Sequence, residues 1–248
     1  MLTKILARTA RILFGIYATI IFLVFLIIAF CSYIVIFVFV NEKKAPFIAH
    51  QKISRPWSKM LFIFYGIRFI IKNKELLDQS KTYVFIANHR SQLDIPAYAL
   101  ATNHTIRFLS KVELTKIPLM GYIISKLYIT VDRKDKVARA KSMDNMLNSI
   151  KERISVFICP EGTRNKGNEP LLPLHDGAFR LAIQSQVPIA ILVLTNADKL
   201  LSPFRPLELS PGKIIGQWCK PIPTLGLTQD DLPALKENAM NQMLKYLP

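Results

Sequence analysis

The first strong pattern along the chain is a lack of polarity. From Ile12 to Val40 no charged residue occurs, a run of 29 positions. As a helix it extends about 44 Å, beyond the roughly 30 Å hydrocarbon core of a bilayer, so it must tilt, bend, or enter and leave through one leaflet. The run is too long for a cleaved signal peptide and lacks an A-x-A-like exit, and bulky Phe30 before Cys31 argues against lipoprotein processing. From Phe47 to Lys72 the pattern changes. Ile53, Trp57, Met60, Phe64, Ile67 and Ile71 recur at three- and four-residue steps, which predicts one amphipathic helix with Lys52, Arg55 and Lys59 off its stripe. Such a helix suits the headgroup layer, packing on a soluble domain, or both.

Beyond Lys72 short apolar runs alternate with helical periodicity. Strands are expected at Tyr83–Ala87, Tyr128–Val131, Ile154–Ile158, Val187–Leu194 and Lys213–Trp218. Helices are expected at Ile95–Ala101, at Glu113–Lys126 with Pro118 starting or kinking it, at Lys136–Lys151 and at Gly177–Gln186. A closing helix is expected with Asp231 as its N-cap and Pro233 in its first turn. Ser202–Pro211, rich in proline, reads as a surface loop. The expected fold is α/β, a largely parallel sheet flanked by helices, preceded by an N-terminal membrane-embedded helical segment. The division is residues 1–72 as anchoring helices and 73–248 as the α/β domain.

Composition narrows the setting. The chain has 248 residues, 51% of them hydrophobic, which excludes a mostly disordered protein. Three cysteines, Cys31, Cys159 and Cys219, form no CxxC pair, so neither a disulfide scaffold nor a structural zinc site is expected, and a reducing compartment fits. A formal net charge of +16 calls for an anionic partner. The apolar run selects anionic membrane lipid over nucleic acid, for which no fold signature is present. Both flanks of the run are basic (Lys4, Arg8 and Arg11 before it; Lys43, Lys44, Lys52, Arg55 and Lys59 after it), which suits entry and exit on the cytoplasmic side. A single span remains the alternative.

Two motifs carry chemistry. After the strand at Tyr83–Ala87 comes Asn88-His89-Arg90-Ser91-Gln92-Leu93-Asp94. A carboxylate five positions after a histidine can hold one ring nitrogen and leave the other to accept a proton from a hydroxyl. After the strand at Ile154–Ile158 comes Cys159-Pro160-Glu161-Gly162-Thr163-Arg164, whose amides and guanidinium suit an oxyanion or a phosphate. Alone, each is also explained by a capped helix start and a β-turn. Together, with Glu161 72 residues after His89, they form a specific pair.

This pair resembles the glycerolipid acyltransferases, most closely the bacterial 1-acyl-sn-glycerol-3-phosphate (lysophosphatidic acid) acyltransferases, over roughly residues 80 to 195. The resemblance implies His89 as general base with Asp94 orienting it. It implies Arg133, in Tyr128-Ile129-Thr130-Val131-Asp132-Arg133, as a phosphate-binding arginine, although Lys126-Leu127 replaces the usual glycine at that motif's start. Glu161, Gly162, Thr163 and Arg164 would help bind the glycerol phosphate. Val187-Pro188-Ile189 matches a fourth motif, but Ala190-Ile191 lacks its second proline. The implied activity is transfer of an acyl group from an acyl-CoA or acyl carrier protein thioester to the sn-2 hydroxyl of lysophosphatidic acid, with no cofactor and no metal, at the cytoplasmic membrane with the domain facing the cytosol.

Rival readings are a different lysolipid or glycerol-phosphate acceptor, and a non-enzymatic basic protein that binds membranes. Among rival residues, Cys159 beside the third motif raises a Cys–His acyl-enzyme, although a small buried apolar role is the commoner use of such a cysteine. Ser91 reads as a turn residue, and His175 lacks spaced partners for a metal.

Overall fold

A computed structural model describes residues 2–41 and 44–248, with the side chains of Leu2 and Lys4 left out. Of the basic residues expected to flank the apolar run, Lys43 and the side chain of Lys4 lie outside this description. The apolar run forms part of one helix, α1 (Leu2–Phe39), about 57 Å long at 1.5 Å per residue. Its buried positions, Gly15, Ala18, Leu26, Ala29 and Tyr33, follow helical spacing on one side. Leu13, Ile16, Ile20, Leu23, Ile27, Val35 and Val38 lie exposed on the other.

After α2 (Ala45–Ala49) a π-helical turn, His50–Ser54, leads into α3 (Arg55–Phe64). The amphipathic helix expected to run through Ile71 therefore stops earlier. Gly66 adopts φ +60°, a left-handed conformation that glycine reaches without a Cβ penalty. The chain then extends as β1 (Ile67–Lys72), inside the stretch assigned from sequence to the anchoring helices.

The remaining elements are β2 (Val84–Ala87), α4 (Asp94–Ala101), β3 (Ile106–Lys111), α5 (Met120–Leu127), β4 (Ile129–Val131), α6 (Lys136–Lys151), β5 (Ser155–Ile158), α7 (Gly177–Ser185), β6 (Ile189–Thr195), α8 (Ala197–Leu200), β7 (Gly212–Trp218) and α9 (Leu232–Leu244). The helix expected over Glu113–Lys126 is split by Pro118 into a 3₁₀ turn, Val112–Lys116, and α5. The expected Asp231 N-cap acts one turn earlier. Its carboxylate accepts from the Thr228 backbone N–H at 2.8 Å, closing a capping box around a 3₁₀ turn that leads into α9.

Seven strands form one sheet in the order β1-β7-β6-β2-β5-β3-β4. All neighbours are parallel except β6 and β7, which are antiparallel, so the sheet is largely parallel, as expected. One apolar layer joins Phe85, Phe157, Leu192 and Trp218 of the sheet to α3 and α4, with Ala18 of α1 beneath. The other joins Val84, Val156 and Ile191 to α6, α7 and α9. The alternation Val84, Phe85, Ile86 sends successive side chains to opposite layers, which is why β2 has no polar face.

Candidate active site

The carboxyl ends of β2, β3, β4 and β5 point to one edge, where ligands of open α/β sheets are usually held. The loops leaving those strands carry His89, Lys111, Arg133, Cys159, Gly162, Thr163, Arg164 and Lys166, which line a single cavity of about 440 Å³. Its inner walls are apolar: Leu26 and Ala29 of α1, Ile95 and Ala99 of α4, Phe108, and Ile123 and Ile124 of α5.

His89 leaves β2 directly, and α4 begins at Asp94. The Asp94 Oδ2 lies 2.8 Å from His89 Nδ1 and also accepts from the backbone N–H groups of Arg90 (2.7 Å) and Ser91 (2.8 Å). This carboxylate is buried, and three donors converge on its one oxygen. In the tautomer that places Nδ1–H on Asp94, Nε2 of the imidazole is free to accept a proton.

The second motif–loop pair is welded to the first through the backbone of His89. Glu161 Oε1 accepts from the His89 N–H at 2.8 Å, Glu161 Oε2 accepts from the Leu172 N–H at 2.9 Å, and the Asn165 N–H donates to the His89 carbonyl at 2.7 Å. Glu161 is buried and absent from the cavity wall. Burial pushes its carboxyl pKa upward, while the two amides act in the opposite direction.

Gly162 adopts φ +71°, and a Cβ there would come within 2.9 Å of the Arg133 guanidinium and 2.8 Å of the His175 ring. Glycine is therefore needed both for the left-handed backbone and for the close approach. Arg133 donates to the Gly162 carbonyl, and burial lowers its pKa. Thr163, Arg164 and Lys166 face the cavity, and Arg164 has no side-chain hydrogen bond or ion pair among the described residues.

Several residues that sequence reasoning passed over complete the frame. The buried Asn88 carboxamide donates to the Leu194 carbonyl and accepts from the Leu194 N–H, both at 2.8 Å, fixing the His89 loop to β6. Arg90 pairs with Asp198 at 2.9 Å and donates to the carbonyls of Gly167 (3.0 Å) and Glu169 (2.8 Å). A polar residue directly before the histidine and an arginine directly after it are the only sequence signals for these roles. Cys159 lines the cavity with its thiol 3.7 Å from the Tyr98 hydroxyl, and burial pushes the thiol pKa up to about 12. A thiolate is thereby suppressed, against its use as a nucleophile. Ser91 Oγ donates to the Leu201 carbonyl at 2.8 Å, which occupies the hydroxyl in the turn. His175 shares no group of three or more metal-ligating side chains among the described residues.

An acyltransferase family model matches residues 68–194. The chain is 33% identical to an uncharacterised acyltransferase of Schizosaccharomyces pombe, over 73% of this chain and 69% of that protein. It is 31% identical to the human 1-acyl-sn-glycerol-3-phosphate acyltransferase beta, over 73% of this chain and 65% of that one. Among solved structures, that of the 1-acyl-sn-glycerophosphate (LPA) acyltransferase PlsC from Thermotoga maritima superposes with a TM-score of 0.79 at 18% identity, covering 96% of this chain and 95% of that one, a likeness of fold. With the model spanning β1 to β6 and both motif loops, this chain belongs to the acyltransferase family.

Proposed function

We propose that the chain transfers a fatty acyl group from an acyl-CoA or acyl carrier protein thioester to the sn-2 hydroxyl of lysophosphatidic acid, giving phosphatidic acid. The observation that carries this reading is one cavity with three parts: an oriented imidazole, a cationic rim of Lys111, Arg133, Arg164 and Lys166, and apolar walls that can hold an acyl chain. The relatives named above as 1-acyl-sn-glycerol-3-phosphate acyltransferases supply the acceptor.

In the reaction His89 Nε2 takes the proton of the acceptor hydroxyl as its oxygen attacks the thioester carbonyl. The tetrahedral oxyanion collapses, the C–S bond breaks, and the leaving thiolate receives the proton from the imidazolium. No acyl-enzyme is needed. Arg133 and Arg164 hold the acceptor phosphate and so fix the hydroxyl near the base, which lowers the entropic part of the barrier. Gly162 and Thr163 line this end of the cavity, and Glu161 serves by holding the His89 backbone in place.

The membrane enters the same reading. α1 has one window of mean hydropathy 3.1 with only 17% of it buried, long and apolar enough to cross a bilayer. It also packs along the domain for most of its length, from Arg8 on Glu208 to Phe37 beside Tyr122. A helix bound lengthwise to an α/β domain cannot run straight across the bilayer unless the domain follows it. In this reading α1 lies within one leaflet with its Leu13–Val38 flank in lipid, on the cytosolic side that its basic flanks suit. The cavity floor at Leu26 and Ala29 then opens beside the acyl chains that both substrates carry.

The test is detergent-solubilised protein with lysophosphatidate and a long-chain acyl thioester, following free thiol and phosphatidate together. His89→Ala is expected to lower turnover by about 10²–10⁴-fold. Thiol release without phosphatidate would overturn the assignment of the acceptor, and a fully active His89→Ala would overturn the base.

A further inference from the structure

The loop between α8 and β7 is not a slack connection. An antiparallel bridge between Leu201 and Leu209 closes its base. Arg205 N–H donates to the Ser202 carbonyl at 3.1 Å, Glu208 N–H to the Arg205 carbonyl at 3.0 Å, and Ser210 N–H to the Leu200 carbonyl at 2.9 Å. Pro203 and Pro206 restrict the tip further. Yet this ordered tip holds two large apolar side chains out of the protein, Phe204 at 68% exposure and Leu207 at 47%.

The same tip is fastened to the N-terminal half of α1. Gly15 lies so close to it that a Cβ there would sit 1.8 Å from the Leu207 carbonyl oxygen. Next to that contact the largely buried Glu208 carboxylate accepts Arg8 at 2.8 Å, with Arg205 at 3.4 Å and Arg11 at 3.9 Å. Three arginines around one carboxylate leave excess positive charge. On α1 itself the neighbouring exposed side chains are Leu13, Ile16 and Tyr17. Phe204 and Leu207 thus extend an exposed apolar strip whose border is cationic. Leu225 and Val137 are exposed more fully still, but both belong to the α6/α7/α9 side of the sheet.

We propose that the 202–208 tip is a second membrane-contact element that inserts Phe204 and Leu207 at the headgroup–acyl boundary of an anionic bilayer, beside α1. This rests on the reading above that the outer flank of α1 lies in lipid. The fit is physical on both counts: the apolar pair gains by leaving water, and the arginine cluster gains beside anionic headgroups. The consequence concerns orientation. A helix lying in an interface is free to roll about its own axis, whereas a helix plus a laterally attached wedge is not. Because α1 lines the cavity at Leu26 and Ala29 and carries the loop at Gly15, the wedge sets the roll angle at which the cavity meets the leaflet.

The test uses the full chain reconstituted in vesicles of mixed neutral and anionic phospholipid, with single tryptophans added as Phe204→Trp, Ile20→Trp or Leu225→Trp. The emission each adds over the wild-type protein is read against brominated acyl chains in the bilayer and acrylamide in water. The added emission of Phe204→Trp is expected to shift to the blue, lose most of its intensity to brominated lipid and resist acrylamide, as Ile20→Trp does. Leu225→Trp is expected to do the reverse. If Ile20→Trp is quenched by the lipid while Phe204→Trp is quenched by acrylamide, the wedge is overturned and the membrane reading of α1 stands. If Ile20→Trp itself resists the lipid quencher, both fall. A Phe204→Ser/Leu207→Ser variant supplies the second readout. It is expected to lose most activity on vesicle-borne lysophosphatidate while keeping it in mixed micelles, where no planar leaflet sets the angle; equal activity in both settings would overturn the role in orientation.

Discussion

The two sides of the sheet are built alike on the inside and oppositely on the outside. Facing α1, α3 and α4, the sheet presents Phe85, Phe157 and Trp218; facing α6, α7 and α9, it presents Val84, Val156 and Ile191. Both layers are buried and apolar. Their outer surfaces diverge: α1 and α3 turn Ile20, Ile27, Ile63 and Phe64 outward, whereas α6 turns out Lys136, Arg139, Lys141 and Asn145. The interior thus follows the demands of any folded domain, and only the α1/α3 exterior carries the apolar surface that the proposed membrane contact would cover. The cavity opens at the edge where the two sides meet, with polar groups from the strand-end loops and apolar walls from α1, α4 and α5.

The largest effects test the likeness of the interiors. Trp218→Ala on one side and Phe179→Ala on the other each remove a fully buried aromatic side chain, and each is expected to cost about 3–5 kcal/mol in denaturant unfolding in detergent. A large loss from one and a negligible loss from the other would show that one layer is not part of the cooperative core.

The next effect separates the exteriors. Ile27→Lys on the outer flank of α1 places a charge where lipid is expected, at a cost of about 2.5–3.5 kcal/mol near the centre of a bilayer. Partition from mild detergent into vesicles is expected to fall roughly tenfold or more, allowing for relief by snorkelling. Asn145→Lys, exposed on α6, is expected to leave partition unchanged. Equal behaviour of the two variants would remove the distinction between the sides.

A smaller effect belongs to the seam. Gly162→Ala forces a left-handed residue to carry a Cβ, at about 1–2 kcal/mol, and pushes on Arg133 and His175. The expected result is a KM for lysophosphatidate raised by roughly tenfold with a smaller change in kcat, because the loop proposed to hold the acceptor phosphate shifts while His89 stays on Asp94. A kcat loss with unchanged KM would place Gly162 nearer to the reacting carbonyl than to the phosphate.

These contrasts also explain what was legible in the sequence. β2 and β5 stood out because a strand buried on both sides is a continuous apolar run, and the motif loops stood out because chemistry fixes their residue types. β1 was hidden because Ile67 and Ile71 continue the spacing of α3, and only Gly66 marks the break. β3 was hidden because Arg107 and Lys111 dilute its apolar pattern, although Ile106 and Phe108 are buried. At the site, the five-residue spacing of His89 and Asp94 allowed a pair but equally a capped helix start, and only the second motif 72 residues on made the pair specific. The placement of Glu161 was not legible: burial and a hydrogen bond to the backbone of His89 are tertiary facts, and a sequence reading assigns such a carboxylate to a substrate. The outward apolar flank of α1 was legible as membrane-seeking, but its lengthwise packing on the domain depends on small residues, Gly15, Ala18 and Ala29, that blend into the run.

The last test uses acid to tell the sides apart. His50, at the π-helical turn on the α1/α3/α4 side, is buried, and desolvation with the nearby Arg55 charge lowers its pKa to about 4. His104 beside it is also lowered, chiefly by burial, while its Nδ1 and Nε2 meet the Thr102 hydroxyl at 2.7 Å and the Asp78 carbonyl at 3.1 Å. No histidine is buried on the α6/α7/α9 side among the described residues. A histidine held neutral in the fold binds its proton more readily when unfolded, so its stabilising contribution is complete above the ordinary value near 6.5 and is lost as pH falls toward about 4. Stability measured by denaturant in detergent is therefore expected to decline across that window, and His50→Leu is expected to flatten the decline. Amide exchange should place the acid-induced opening first in α2, the π-helical turn and α3, with α7 and α9 still protected. Opening that begins in α7 or α9, or an unchanged slope in His50→Leu, would assign the acid sensitivity to the carboxylates and dissolve this difference between the two sides.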